Sequence, residues 1–144
     1  MLATLIVSIV LALGTSIFGL VQKELILTSI GRDSQYAFYA ADTGAECALY
    51  WSERHKIFPT TTPFTVDVSC DGQTKTTSVS AIGNSITSSF RFESSGYCVD
   101  VSVEKTLEVD DTVSTIIHAD GYSRNCDSIV GSTRVLQRSV ELRN

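Results

Sequence analysis

The chain has 144 residues, 43% hydrophobic and 19% charged, with 11 Lys and Arg against 16 Asp and Glu for a net charge of -5. That length suits one domain, and scattered cations on an acidic chain do not make the basic stripe that nucleic acid or anionic lipid requires. All 27 charges (11 + 16) fall from Lys23 onward, so the first 22 residues carry none.

Residues 1–21, MLATLIVSIVLALGTSIFGLV, are long enough as a helix to cover about 32 Å, against a hydrocarbon core of about 30 Å. Thr4, Ser8, Thr15 and Ser16 are compatible with it, because a helix lets hydroxyls bond to carbonyls of the preceding turn. A cleavable signal fits less well: no basic segment precedes the run, no Ala-x-Ala site follows it, and the apolar part is longer than usual. Nor could so short a chain enclose a helix that is apolar all round. The expectation is a membrane-spanning helix. Gly14 and Gly19 interrupt it, each costing up to ~1 kcal/mol against Ala. They read either as points where the helix bends or as sites of close helix packing.

Helical character continues past Lys23 and Glu24, with no proline before Pro59. Ala37, Ala40, Ala41, Gly44, Ala45 and Ala48 recur at helical spacing, a smooth stripe on which a sheet could lie close to the backbone. Arg32, Asp33, Asp42, Glu46, Glu53 and Arg54 mostly project elsewhere. One helix is expected through residue 54.

From Ile57 the texture changes. Pro59-Thr-Thr-Thr-Pro63 reads as an extended connector. Alternating runs follow: Phe64–Cys70 and Thr74–Ala81 around the hairpin signal Asp71-Gly72, then Ile86–Phe92 and Tyr97–Val103 around Glu93–Gly96. Thr112–Ala119, ending at Asp120-Gly121, and Arg134–Leu142 complete five to seven antiparallel strands in a meander. Ser and Thr alternating with Val, Ile and Phe suit a sheet with one face on a helix and one in water.

Cys47, Cys70, Cys98 and Cys126 all lie beyond the apolar segment. Their even number suggests up to two disulfides in an oxidising space. Three pairings are possible; the working expectation joins Cys70 to Cys98 across neighbouring strands and Cys47 to Cys126. No two cysteines have metal-knuckle spacing, and His55 and His118 are isolated, so no metal site is expected. No Gly-x-Ser-x-Gly, phosphate loop or His-Glu-x-x-His occurs. Asp110-Asp111 reads as a solvated turn rather than a calcium loop. The expectation is therefore no catalytic residue and no cofactor.

Residues Ala37-Phe38-Tyr39-Ala40-Ala41-Asp42-Thr43-Gly44-Ala45-Glu46-Cys47-Ala48-Leu49-Tyr50-Trp51 resemble the A-A-D-[AST]-G-x-E stretch in the outer part of the long helix of type IV pilins. More narrowly, they look like PilX-type minor pilins. The resemblance implies an α+β, pilin-like fold: a long N-terminal α-helix, apolar in its first half, packed on an antiparallel β-sheet domain. Residues 1–22 would be the transmembrane and filament-core half of the helix, 23–56 its amphipathic half, and 57–144 a disulfide-tied head. Ala37, Ala41, Ala45 and Ala48 would pack the helix on the sheet. Met1, Leu5, Gly14 and Gly19 would belong to the membrane and filament segment.

In that family a peptidase cleaves a short leader, so Met1 is either the first mature residue or a start codon. Most members carry glutamate at the fifth mature position, where this chain has Leu5; that departure favours a minor subunit over the bulk one. The implied partners are other pilin subunits, the pilus assembly machinery and the inner membrane before assembly. The implied location is a single-pass inner-membrane protein with its C-terminal domain outside, then the cell-surface pilus. The alternative is a monomeric, membrane-anchored extracytoplasmic binding module, or an atypical major pilin. Continuity of the helix through residues 22–54 separates them: a pilin needs it, and a tethered module would tolerate a linker.

Overall fold

A computed structural model describes residues 2–110, 112–132 and 134–144. They form two compact units, one ending at Asp33 and the other spanning Ser34–Asn144. The fold is α+β: helix α1 (Leu2–Tyr50) is followed by seven strands among the described residues.

The described residues of the first unit, 2–33, are all helical. The hydroxyls of Ser8, Thr15 and Thr28 donate to the carbonyls of Leu5, Ala12 and Glu24 at 2.8, 3.0 and 2.8 Å, which satisfies them without a partner outside the helix. Gly14 and Gly19 sit inside α1, and an added Cβ at either would meet no atom within 4 Å.

In the second unit, α1 passes into one π-helical stretch, Trp51–His55, closed by Lys56 at φ 49°, whose N–H returns to the Trp51 carbonyl. The α-helix thus stops at Tyr50, with a wider turn completing the expected span. The chain then runs through Pro59 and Pro63 without helix or strand before β1 (Asp67–Cys70). β1 pairs antiparallel with β2 (Gln73–Thr76) through Asp71 and Gly72, at φ 49° and 72°. Both central residues having positive φ is the geometry that an Asp-Gly hairpin provides.

The larger sheet is a five-stranded antiparallel meander: β3 (Ser78–Ile82), β4 (Ser85–Ser94), β5 (Tyr97–Leu107), β6 (Val113–Tyr122) and β7 (Gln137–Arg143). Three expectations need correction. Thr74–Ala81 is two strands in two sheets rather than one. The change falls at buried Thr77, whose N–H and hydroxyl engage the carbonyl and N–H of Val66 at 2.8 and 3.0 Å. The β4–β5 turn is Ser95-Gly96 alone, with Glu93 and Ser94 still in the ladder. Asp120-Gly121 is not a turn but part of β6, paired with Ser139 and Arg138 of β7.

Alternation along β4, β5 and β6 sends one set of side chains inward. Phe90, Phe92, Val99, Val101, Val103, Ile117 and Ala119 form the core with Ala40, Ala45 and Ala48 of α1. Fully burying each Val or Ile is worth about 1.5–3 kcal/mol. The alanines let the helix come close enough to cover them. Where a larger group would stand, glycine is used: a Cβ on Gly44 would lie 2.5 Å from Val99 Cγ1 and 3.0 Å from Val101 Cγ2.

Both disulfides differ from the expected pairing. Cys47 bonds Cys70, and Cys98 bonds Cys126. The physical reason is that Cys70 and Cys98 stand in different sheets. Cys70 ends β1 beside α1, where Trp51 Nε1 also donates to the Ser69 carbonyl at 3.0 Å. Cys98 opens β5 beside the loop carrying Cys126, and its N–H bonds the Arg124 carbonyl at 2.7 Å. The two sheets are joined by Gln73, whose Nε2 donates to the Glu93 carbonyl at 2.6 Å.

Candidate assembly surface

Single exposed hydrophobic residues are ordinary on a folded chain, but a large contiguous apolar surface is not. Here α1 presents Leu5, Ile9, Leu11, Leu13, Ile17, Phe18 and Leu20 fully outward, each more than half exposed. An 18-residue window of the helix reaches a mean hydropathy of 2.3 with none of it buried. Such a surface belongs in lipid, or against other apolar helices, and it is long enough to cross a bilayer. By length and composition the helix is a membrane anchor or a signal segment, and the disulfides suggest an extracytoplasmic domain after it. Met1 lies outside the described residues.

The stripe singled out in the sequence is buried as a unit: Ala37, Ala41, Ala45 and Ala48 are at most 1% exposed. Its role is internal, fixing α1 on the sheet. The outward side of the same stretch remains aromatic. Tyr36, Phe38, Tyr39 and Tyr50 are exposed, with Tyr36 stacked on Tyr97 at 5.0 Å between ring centroids. His55 packs with Tyr50 and Trp51, its ring 5.0 and 4.6 Å from theirs. Helix apolarity, aromatic flank and disulfide-tied head together make a pilin-like architecture. Comparison with protein-family models, curated proteins and solved structures finds no match.

The face of the larger sheet turned away from α1 is polar. Arg91 Nη2 reaches Asp100 Oδ2 at 2.6 Å, and Nε reaches Oδ1 at 2.5 Å. This paired, mostly solvated contact contributes less than about 1 kcal/mol. His118 lies one row away, its Nε2 3.2 Å from Asp120 and its Nδ1 3.6 Å from Glu141. Ser102, opposite His118, donates to the His118 carbonyl at 3.5 Å rather than to the ring. Both ring nitrogens therefore face carboxylates, and the Ser102, His118 and Asp120 trio is not a nucleophile–base pair. Arg91, Asp100, Ser102, His118 and Asp120 line a shallow basin of about 410 Å³.

Burial opposes ionisation of Asp120, but bonds from Ser139, Gln137 and His118 outweigh it and hold the carboxyl below its ordinary value. Glu141 is also held low, first by its hydrogen bond from Arg143 and then by that residue's charge. Burial, reinforced by Asp100 and Asp120, pushes the Tyr122 hydroxyl up.

Among the described residues, no group of three or more His, Cys, Asp or Glu could hold a metal ion. Asp110 caps its own turn, accepting from the Thr112 hydroxyl at 2.7 Å; Asp111 lies outside the described residues. The sequence did not reveal the Arg91–Asp100 and His118–Asp120–Glu141 contacts. Period-two spacing puts each residue on the outer face of its own strand, but only the inter-strand register brings the strands' residues together.

Proposed function

We propose that this chain is a structural subunit of a type IV pilus-like surface filament, a minor pilin that assembles through its N-terminal helix. The observation that carries the reading is the two-part character of α1. It is apolar on every side in its first half, and from Ala37 it is seated on the sheet by a stripe of small residues. Helical assignment runs without interruption from Leu2 to Tyr50, which is what a pilin requires and a flexible tether does not.

Assembly, in this reading, is an exchange of environments. The monomer keeps its apolar segment in the inner membrane, where every backbone polar group is satisfied within the helix. Joining a filament replaces lipid by the helices of other subunits, an equally dry surroundings with closer packing. Small residues such as Gly14 and Gly19 permit that approach. The head then faces outward, presenting loops held in place by its two disulfides. No catalysis is involved.

The test is to shear filaments from cells producing the chain, purify them, and identify this subunit and its amount by mass spectrometry. A low, reproducible stoichiometry supports a minor pilin; abundance equal to the filament mass points to a bulk subunit. Full-length chain found only in membranes, and never in filaments, replaces the proposal with a monomeric anchored module.

A further inference from the structure

Tyr36, Tyr39, Ala40 and Thr43 follow one another on α1 at i, i+3, i+4 and i+7, so they share one face of the helix. The end of the β4–β5 hairpin stands opposite. Ser94 pairs with Tyr97 in register, which puts both side chains on the same face of the sheet. That face is the helix side, because Tyr97 stacks on Tyr36 with ring planes 13° apart. Between helix and hairpin lies a pocket of about 210 Å³, room for one six-membered sugar ring, lined by Tyr36, Tyr39, Tyr97, Thr43, Ser94 and Ser95.

No charged side chain lines this pocket. Thr43 donates its hydroxyl to the Tyr39 carbonyl at 2.9 Å. Among the described residues, the hydroxyls of Tyr36, Tyr39, Tyr97, Ser94 and Ser95 have no hydrogen-bond partner in the chain. The lining thus offers aromatic rings together with hydroxyls that both donate and accept. An ion would find no opposite charge here, and a wholly apolar ligand would leave the hydroxyls it covers unpaired.

Backbone conformation singles out Ser95. It adopts φ 51°, a left-handed conformation uncommon for residues other than Gly, Asn and Asp. The other two-residue hairpin turns fill the same position with residues suited to it, Asp71 and Gly83. Glycine would relieve the strain at 95. Serine therefore stands there at a conformational cost, and a hydroxyl placed at the pocket accounts for it. The turn is also firmly held: the Glu93 carboxylate accepts the Cys126 N–H at 2.7 Å, and the Cys98–Cys126 bridge follows Tyr97 directly. Little ordering is left for a ligand to impose.

We propose that this pocket binds a neutral saccharide, with one pyranose ring stacked on Tyr39 and hydrogen-bonded to Ser94 and Ser95. Tyr39 is 63% exposed and supplies the open platform, while Tyr36 and Tyr97 cover each other and form a wall. The pocket belongs to the second unit, so the assignment does not depend on whether the chain enters a filament.

The test is saturation-transfer NMR on the full chain, held in a detergent that has no sugar headgroup. The probes are methyl glucoside, methyl galactoside and N-acetylglucosamine, and at least one should bind with a Kd of about 1 mM. Tyr39→Ala should weaken that binding about tenfold, and Tyr39→Phe much less. Ser95→Gly should weaken it about fivefold without lowering the urea midpoint, which separates contact with the sugar from a role in the turn. Absence of transfer to all of these sugars overturns the proposal, as does undiminished transfer in the Tyr39→Ala chain. Equally strong binding of the anionic N-acetylneuraminic acid overturns the neutral class. Self-association that requires Tyr39, with no sugar bound, overturns the site by making a second copy its occupant.

Discussion

Gly121 on β6 lies directly against the α1 backbone at Ala37: a methyl group on Gly121 would overlap the Ala37 carbonyl oxygen and the Ala41 nitrogen. Both colliding groups are helix backbone, which cannot rotate away. Gly121→Ala should therefore cost roughly 3 kcal/mol, the upper end for overpacking. The loss is read as a lower urea midpoint of the detergent-solubilised chain, and an unchanged midpoint would mean that helix and sheet are not in this contact.

Gly44 makes the complementary contact from the helix side, but its neighbours are the side chains of Val99, Val101 and Ala119. Valine methyls can shift by rotamer change at a cost of about 1 kcal/mol. Gly44→Ala should therefore be milder than Gly121→Ala by the same urea measurement. The order of the two, rather than either value alone, checks the interface.

Non-reducing peptide mapping should recover Cys47 with Cys70 and Cys98 with Cys126. Paired substitution of Cys98 and Cys126 by serine should lower stability by about 2–4 kcal/mol, the usual effect of removing a native bridge.

Acid should unfold the head in a way that depends on Asp120. A carboxyl held low in the folded state stabilises it above the ordinary carboxylate value of about 4, and that contribution is lost as pH falls through the folded value. Asp120→Asn should flatten the decline in urea midpoint below about pH 4. Equal slopes in the two proteins would show that Asp120 is not held by Ser139 and its neighbours.

Leu11→Lys places a charge in the middle of the exposed apolar segment, adding about 3 kcal/mol to insertion at a helix centre. Alkaline carbonate should then release the chain from membranes that retain the unsubstituted protein.

The features legible in the sequence were those with local causes. The alanine stripe at helical spacing announces a close-packed face, and Asp71-Gly72 announces a turn, because each depends on neighbours along the chain. Asp120-Gly121 has the same local signature as Asp71-Gly72 yet lies within a strand; its glycine is required by a helix some eighty residues away. Gly83, at φ 60°, sits with Asn84 between β3 and β4, a turn that the reading by hydrophobic runs passed over. The disulfide pairing was not legible because it depends on which sheet each cysteine occupies, and the division at Thr77 carries no compositional mark.

The two bridges follow one another along the chain, each closed before the next begins: 47 with 70, then 98 with 126. Neither encloses a cysteine belonging to the other. A head that enters an oxidising compartment from its N-terminal side can complete the first link before Cys98 has arrived, so pairing each newly exposed thiol with the one before it yields the native set.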